Sequence, residues 1–168
     1  NRQNQFYSKK LHLKMSSTEK DQLFMGLAIE LAHTAYENNE VPVGAVIIQR
    51  RNSEVLSAFS NQMRATKSSI NHAEMLAIQK AMDLIKNERL TGCDMYVSLE
   101  PCPMCAYAIS IARIENLHFA AEDKKSGGVL NGPRIFDSSS CHHRPKIYSG
   151  MMKTESSKLL REFFKSRR

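Results

Sequence analysis

The stretch CDMYVSLEPCPMCAYAISIARIENLHFAAE, residues 93–122, decides how the chain folds. Its first part, CDMYVSL (93–99), is a run of β-branched and apolar residues that predicts a strand. Pro101 and Pro103 then open a helix, with Pro103 near a first-turn position where its missing N–H costs nothing, and the helix is expected to run to about Ile114. NLHFAAE (116–122) reads as the next strand, so one short segment already gives strand, helix, strand.

Working outward, helical spacing is present from His72 to Glu88 through Met75, Ile78, Met82 and Ile85, and it stops before Thr91-Gly92. VGAVIIQ (43–49) and EVLSAFS (54–60), joined by RRNS, predict a β-hairpin. Ahead of it, Leu23, Leu27, Leu31 and Ala35 recur every fourth residue within Asp21–Asn38, an amphipathic helix ended by Glu40-Val41-Pro42. Residues 123–150 are rich in Gly, Ser, Pro and Lys, a loop-like composition with a short element expected near Ile135-Phe136-Asp137. A last helix is expected over Thr154–Phe164, with Leu159, Leu160, Phe163 and Phe164 on one stripe. This alternation argues an α/β layer structure in which helices cover a mixed sheet.

At 168 residues and 42% hydrophobic content the chain suits one globular domain with a real core. The domain is expected over residues 17–168, and residues 1–16 are expected to be a flexible or appended arm. Arg2, Lys9, Lys10 and Lys14 crowd that arm, no acidic residue precedes Glu19, and no apolar run suits a secretory signal. No apolar stretch approaches the ~20 residues needed to span a bilayer as a helix. Lys and Arg outnumber Asp and Glu 24 to 17, and the net charge of +7 favours a polyanionic partner such as nucleic acid. Four cysteines, Cys93, Cys102, Cys105 and Cys141, fit metal binding or free thiols in a reducing, cytoplasmic setting better than a disulfide framework.

His72 begins one helix, and Cys102 and Cys105 begin another, so the three side chains can converge if the strands feeding those helices run alongside one another. A tetrahedral ion such as zinc takes such ligands, and three of them leave its fourth position open. Cys102 and Cys105 sit one helical turn apart on one face, and the partial positive charge of a helix N-terminus favours their thiolates. Two thiolates neutralise most of the ion's charge, so bound water is acidified less than the ~7 reached with neutral histidines, and a local base is needed. Glu74, in the same first turn as His72, is placed to be that base.

HAE at 72–74 followed by PCPMC at 101–105 resembles the H-x-E…P-C-x-x-C signature of the zinc-dependent nucleobase deaminases. EVPVGAVI (40–47), SLEPCPMC (98–105), HHRPKIYSG (142–150) and FFKSRR (163–168) are similar to the bacterial tRNA-specific adenosine deaminases, over roughly Leu23 to the C-terminus. The resemblance implies a three-layer cytidine deaminase-like fold, a mixed sheet with helices on both faces. It implies one zinc ion per subunit on His72, Cys102 and Cys105, with Glu74 as proton shuttle and Asn61 as a hydrogen-bonding contact to the flipped base. The implied reaction breaks an amidine C–N bond by hydrolysis and converts the wobble adenosine of a tRNA anticodon to inosine with release of ammonia. A homodimer binding an anticodon stem-loop is implied too, with RNA contacts expected at His143, Arg144, Lys165, Arg167 and Arg168. The chain departs from the family's usual text at SIN (69–71), Tyr107 and His142.

Other readings remain open at this point. A C-x-x-C alone suits a redox pair or a structural zinc site as readily, and Cys141 is available as a fourth ligand that would close the site. Cys141, His142 and His143 also resemble a second metal cluster, whereas Cys93 reads as a small buried apolar residue and Asn61 as a turn residue ending a strand. The competing functions are a deaminase of a free base or nucleotide, of the guanine, cytosine or dCMP type, and a noncatalytic zinc-stabilised RNA-binding module.

Overall fold

The computed structural model describes residues 15–167. Helix α1 (Ser17–Glu37) precedes the hairpin of β1 (Gly44–Gln49) and β2 (Glu54–Ser60). Helix α2 (Ala73–Ile85), β3 (Cys93–Leu99), α3 (Pro103–Ile111) and β4 (Asn116–Ala121) follow. A 3-10 turn at Ile135–Asp137, β5 (Lys146–Ser149) and α4 (Lys153–Lys165) complete the order. The arm expected over residues 1–16 falls almost wholly outside the described residues; Ser16 within it caps α1, its side chain accepting the Glu19 N–H while Glu19 reaches back to the Ser16 N–H.

The strands form one mixed sheet in the order β2-β1-β3-β4-β5. β1 runs antiparallel to β2 and β3, and β3, β4 and β5 run parallel to one another. The strands that feed α2 and α3 are β2 and β3, and they do not lie side by side as the sequence suggested, because β1 is inserted between them. Being antiparallel to both, β1 leaves β2 and β3 pointing the same way, so both chains leave the sheet at the same end. The two helix N-termini therefore still meet, across the width of β1.

Each face of the sheet has its own core. On one, Ala73, Ala77, Ile78 and Ala81 of α2 and Ala106 and Ile109 of α3 cover Ala45, Ile47, Met95, Val97, Leu117 and Phe119. On the other, Phe24, Met25 and Ala28 of α1 cover Val46, Ile48, Tyr96 and Ala120. Gly44 is required where β1 meets α1, since a Cβ there would stand 2.1 Å from the Ala28 carbonyl oxygen. The deepest row of α2 is alanine, and Met75, Met82 and Ile85, expected to form the stripe, are only half-buried beside it. Small residues let the helix backbone lie close on the sheet, which sets the depth of its N-terminus.

Two element ends fall short of the sequence reading. α2 stops at Ile85 because Lys86 turns left-handed (φ 55°), and α3 stops at Ile111 ahead of Arg113, also left-handed (φ 63°). The loop-like segment 123–150 holds the expected short turn at Ile135–Asp137 and also an unexpected edge strand, β5, paired with β4. No described helix is long and apolar enough to cross a membrane.

Candidate active site

His72 is the N-cap of α2 and Cys102 the N-cap of α3, so both side chains stand just ahead of the first helical turns, where free backbone N–H groups concentrate. Neither side chain makes a capping bond, which leaves both free to turn toward each other. His72 Nδ1 lies 3.5 Å from Cys105 Sγ and 3.7 Å from Cys102 Sγ. The three ligand atoms all fall within 4.8 Å of one another, the only such cluster among the described residues. One nitrogen and two sulfurs so arranged fit zinc in chemistry and in spacing, with a fourth side left to the cavity.

The protonation of the pair follows from its surroundings. The Cys102 thiol is lowered to about 4, first by the hydrogen bond from Cys105 and further by His72, so it is a ready thiolate ligand. Cys105 is pushed strongly upward, because its proton is shared with Cys102 and its sulfur is buried. His72 is raised by its hydrogen bond with Cys102, with Glu74 adding to the effect. Glu74, 4% exposed in the first turn of α2, is raised to about 7 chiefly by burial.

Cys141 is absent from the cluster. Its thiol sits 3.2 Å from Ser110 Oγ and donates to the His143 carbonyl oxygen at 3.1 Å, which removes it as a fourth ligand. The expected alternative of a second metal centre at Cys141, His142 and His143 also fails, since His143 Nε2 is held by the Ile114 carbonyl oxygen at 2.6 Å. Cys93 is buried in β3, as expected, and burial pushes its thiol up to about 11.

A cavity of about 400 Å³ opens over the cluster. His72, Glu74 and Cys102 line it together with Asn61, and Val41, Val43, Leu99, Leu160 and Phe164 supply apolar walls. Asn61 is thus both the residue that ends β2 and a polar group facing the site. Of the expected RNA contacts, Lys165 is exposed at the end of α4, one residue from Phe164 at the cavity rim. Arg167 folds back, its guanidinium 3.5 Å over the Phe163 ring and donating to Asn39. His143 and exposed Arg144 lie away from this cavity, His143 lining a separate groove with Arg89, Tyr107, Ile111 and Arg113. Arg168 lies outside the described residues.

Sequence reasoning assigned no role to two buried carboxylates that shape the cavity. Glu100 accepts backbone N–H bonds from Asp123, Val129, Leu130 and Asn131 and one from the Asn131 side chain, fastening the loop that carries Asp123 and Ser126 on the cavity wall. Gly127 is needed in this loop, because a Cβ would come within 2.6 Å of the Glu100 carboxylate. Glu40 fastens the turn after β2 in the same manner, accepting from Arg64 and Ala65. Both glutamates stand inside the quoted motifs, in SLEPCPMC and EVPVGAVI, but their partners are backbone groups, which no side-chain pattern reveals.

A cavity of about 400 Å³ lined by His72 and Cys102 of the three-donor cluster and by a carboxyl group whose pKa burial raises has the make-up of a metal-dependent hydrolase built on an α/β sheet. The chain belongs to the cytidine and deoxycytidylate deaminase zinc-binding family, whose sequence model matches residues 18–121. Within that family it groups with the tRNA-specific adenosine deaminases. The enzyme of that name from Agrobacterium fabrum is 44% identical over 145 residues, 86% of this chain and 94% of the relative. That from Rickettsia typhi is 43% identical over 144 residues, 86% of this chain and 97% of the relative. A solved structure from a study of A-to-I editing by tRNA:A34 deaminases superposes with a TM-score of 0.79 at 44% identity, covering 82% of this chain and 98% of that one. Guanine deaminase from Nitrosomonas europaea, at 21% identity and a TM-score of 0.74 over 84% of this chain and 83% of that one, shares the fold.

Proposed function

We propose that this protein deaminates the wobble adenosine of a tRNA anticodon to inosine by hydrolysis, as a cytoplasmic homodimer. The observation that carries the reading is the placement of Glu74, buried against Cys105 and lining one cavity together with His72 and Cys102. A noncatalytic zinc module has no use for a buried acid there. The choice of adenosine in tRNA rests on the relatives at 43–44% identity.

When bound, zinc supplies the Lewis acidity that makes water nucleophilic near neutral pH. The chain's own residues do the remainder. His72, Cys102 and Cys105 would hold the metal, and Asn61 and the apolar walls of the cavity would hold the purine beside it. Glu74, whose pKa burial raises above the ordinary carboxylate range, both takes and gives a proton. It receives the proton of the attacking water and delivers it to the ring nitrogen beside the amine-bearing carbon. Glu74 then carries the second proton of that water from the new hydroxyl to the amine, which leaves as ammonia, so adenosine plus water becomes inosine plus ammonia. An unpaired loop base, cheaper to extrude than a paired one, would enter this cavity.

The homodimer is supported by Tyr107 and Ile111, 41% and 62% exposed on the outer side of α3, apolar surface that a second copy would cover. The cytoplasmic setting is supported by four unpaired cysteines and by the tRNA substrate. The deciding experiment incubates zinc-loaded protein with an anticodon stem-loop bearing adenosine at the wobble position and reads inosine by mass. Turnover of free guanine, cytidine or dCMP with the stem-loop untouched would overturn the proposal in favour of a free-base or nucleotide deaminase.

A further inference from the structure

Behind Asn61 lies a carboxylate that is not among the residues lining the cavity. Glu40 is 2% exposed, and its two oxygens divide their work. Oε1 accepts the backbone N–H groups of Arg64 at 2.7 Å and Ala65 at 2.8 Å, while Oε2 accepts the side-chain amide of Asn61 at 3.4 Å. Both residues are anchored through their backbones, Glu40 N–H to Ala35 O at 2.9 Å and Asn61 N–H to Val43 O at 2.9 Å. One of the two Nδ2 hydrogens of Asn61 is therefore committed to Glu40. The amide keeps its other N–H and its Oδ1. No buried side-chain polar atom among the described residues lacks a partner, and Oδ1 meets no donor among them, so Oδ1 opens on the cavity that Asn61 lines.

We propose that Glu40 is a positioning residue that fixes the Asn61 amide so that it meets the base with acceptor and donor in a set order. Resting on the adenosine reading above, this edge matches the N6–H donor and N7 acceptor of adenine, the pair that an asparagine amide reads in a bidentate manner. It mismatches guanine, whose O6 and N7 both accept. Without the carboxylate the amide is free to turn over, which exchanges the order. Glu40→Gln is the sharp perturbation. A glutamine keeps an oxygen for the Arg64 and Ala65 N–H groups but turns its NH2 on the NH2 of Asn61, donor against donor, and Asn61 must shift or flip.

The test compares zinc-loaded wild type, Glu40→Gln, Asn61→Ala and the double variant on stem-loops with adenosine or 7-deazaadenosine at the edited position. Zinc content and melting temperature are recorded for each. Expected is a loss on the order of a hundred-fold in kcat/KM for Glu40→Gln, as for a misplaced positioning group, with zinc retained. Adding Glu40→Gln to Asn61→Ala should cost under about two-fold more, because residues acting as one unit are not additive. Wild type should lose activity when N7 is removed, and Glu40→Gln should treat both stem-loops alike; this comparison decides if Asn61→Ala falls below detection. An equal loss from Glu40→Gln with and without Asn61, equal sensitivity to N7 in both enzymes, or full activity of Glu40→Gln overturns the proposal. Wild type that leaves the adenosine stem-loop unchanged overturns the substrate reading instead, which keeps the two failures apart.

Discussion

Nδ1 of His72 lies 3.7 Å from Sγ of Cys102, although the two residues are 30 positions apart in the chain. They meet because each caps a helix that leaves the same end of the sheet. The donor set is complete without Cys141, so the site keeps an open side. Cys105→Ser is accordingly expected to lose bound zinc and activity together, whereas Cys141→Ser retains one equivalent of zinc. Metal analysis of both purified variants checks this. Zinc loss from Cys141→Ser would mean that the site closes with a fourth thiol.

Glu74 stands outside the three-donor cluster, so its replacement is the variant that separates chemistry from metal binding. Glu74→Gln keeps the volume of a side chain that is 4% exposed but cannot shuttle a proton. A drop in kcat of about 10²–10⁴-fold is expected, the usual worth of a positioned general acid–base group, with zinc content and melting temperature close to wild type. Near-normal turnover in this variant would place the proton shuttle elsewhere.

The metal cluster was legible because its residue types and spacing are themselves the chemistry: HAE and PCPMC name the donors without any fold. β5 was not legible, since KIYS (146–149) has only Ile147 half-buried and sits in a polar, glycine-bearing segment. Its strand character comes from pairing with β4, a tertiary event. The insertion of β1 between β2 and β3 was hidden for a related reason, because a hairpin can be added to either side of a sheet without changing any local pattern. Glu40 and Glu100 were visible as letters, but their backbone partners were not.

Glu100 gives a stability prediction. Burial works to raise its pKa, but the hydrogen bonds from Asn131, Asp123 and Leu130 outweigh it, and the group is held below its ordinary 4.5. Its stabilising contribution is therefore present above that value and is lost as pH falls through the depressed one. Glu100→Ala strands the buried N–H of Val129 and the part-buried N–H groups of Leu130 and Asn131 and is expected to cost on the order of 3 kcal/mol. Amide exchange across residues 123–131 should quicken more than that of the central strands. Unchanged protection in that loop would refute the anchor.

Phe164 is 50% exposed yet lines the cavity, an arrangement that suits an aromatic platform for a nucleobase at the rim. Base–aromatic stacking contributes about 1–3 kcal/mol per base by alanine substitution. Phe164→Ala should raise KM for the stem-loop by roughly 5–150-fold while leaving the melting temperature nearly unchanged, because little of its ring is buried in the core. A large fall in melting temperature with KM preserved would assign Phe164 to packing instead.

His118 makes the fold sensitive to acid on the sheet face opposite the catalytic helices. Its ring is stacked between Tyr96 at 4.4 Å and Tyr148 at 4.6 Å, with interplanar angles of 13° and 12°. Burial lowers its pKa below the ordinary 6.5, and the charge of Asp21 opposes that only in part. The unfolded chain thus takes up the proton first, so the contribution is fully present above about 6.5 and is lost as pH falls toward the depressed value. Asp94, raised to about 6 mainly by burial, and Glu74, raised to about 7, act in the opposite sense, their neutral forms being favoured by folding. A single melting curve against pH would blend these effects, but a difference between two proteins cancels the shared groups. His118→Phe keeps a flat ring in the stack and removes the titration. Its melting temperature relative to wild type is expected to rise steadily as pH is lowered from about 7.5 to 5.5, and a difference independent of pH would show that His118 protonates equally well in the folded and unfolded chain.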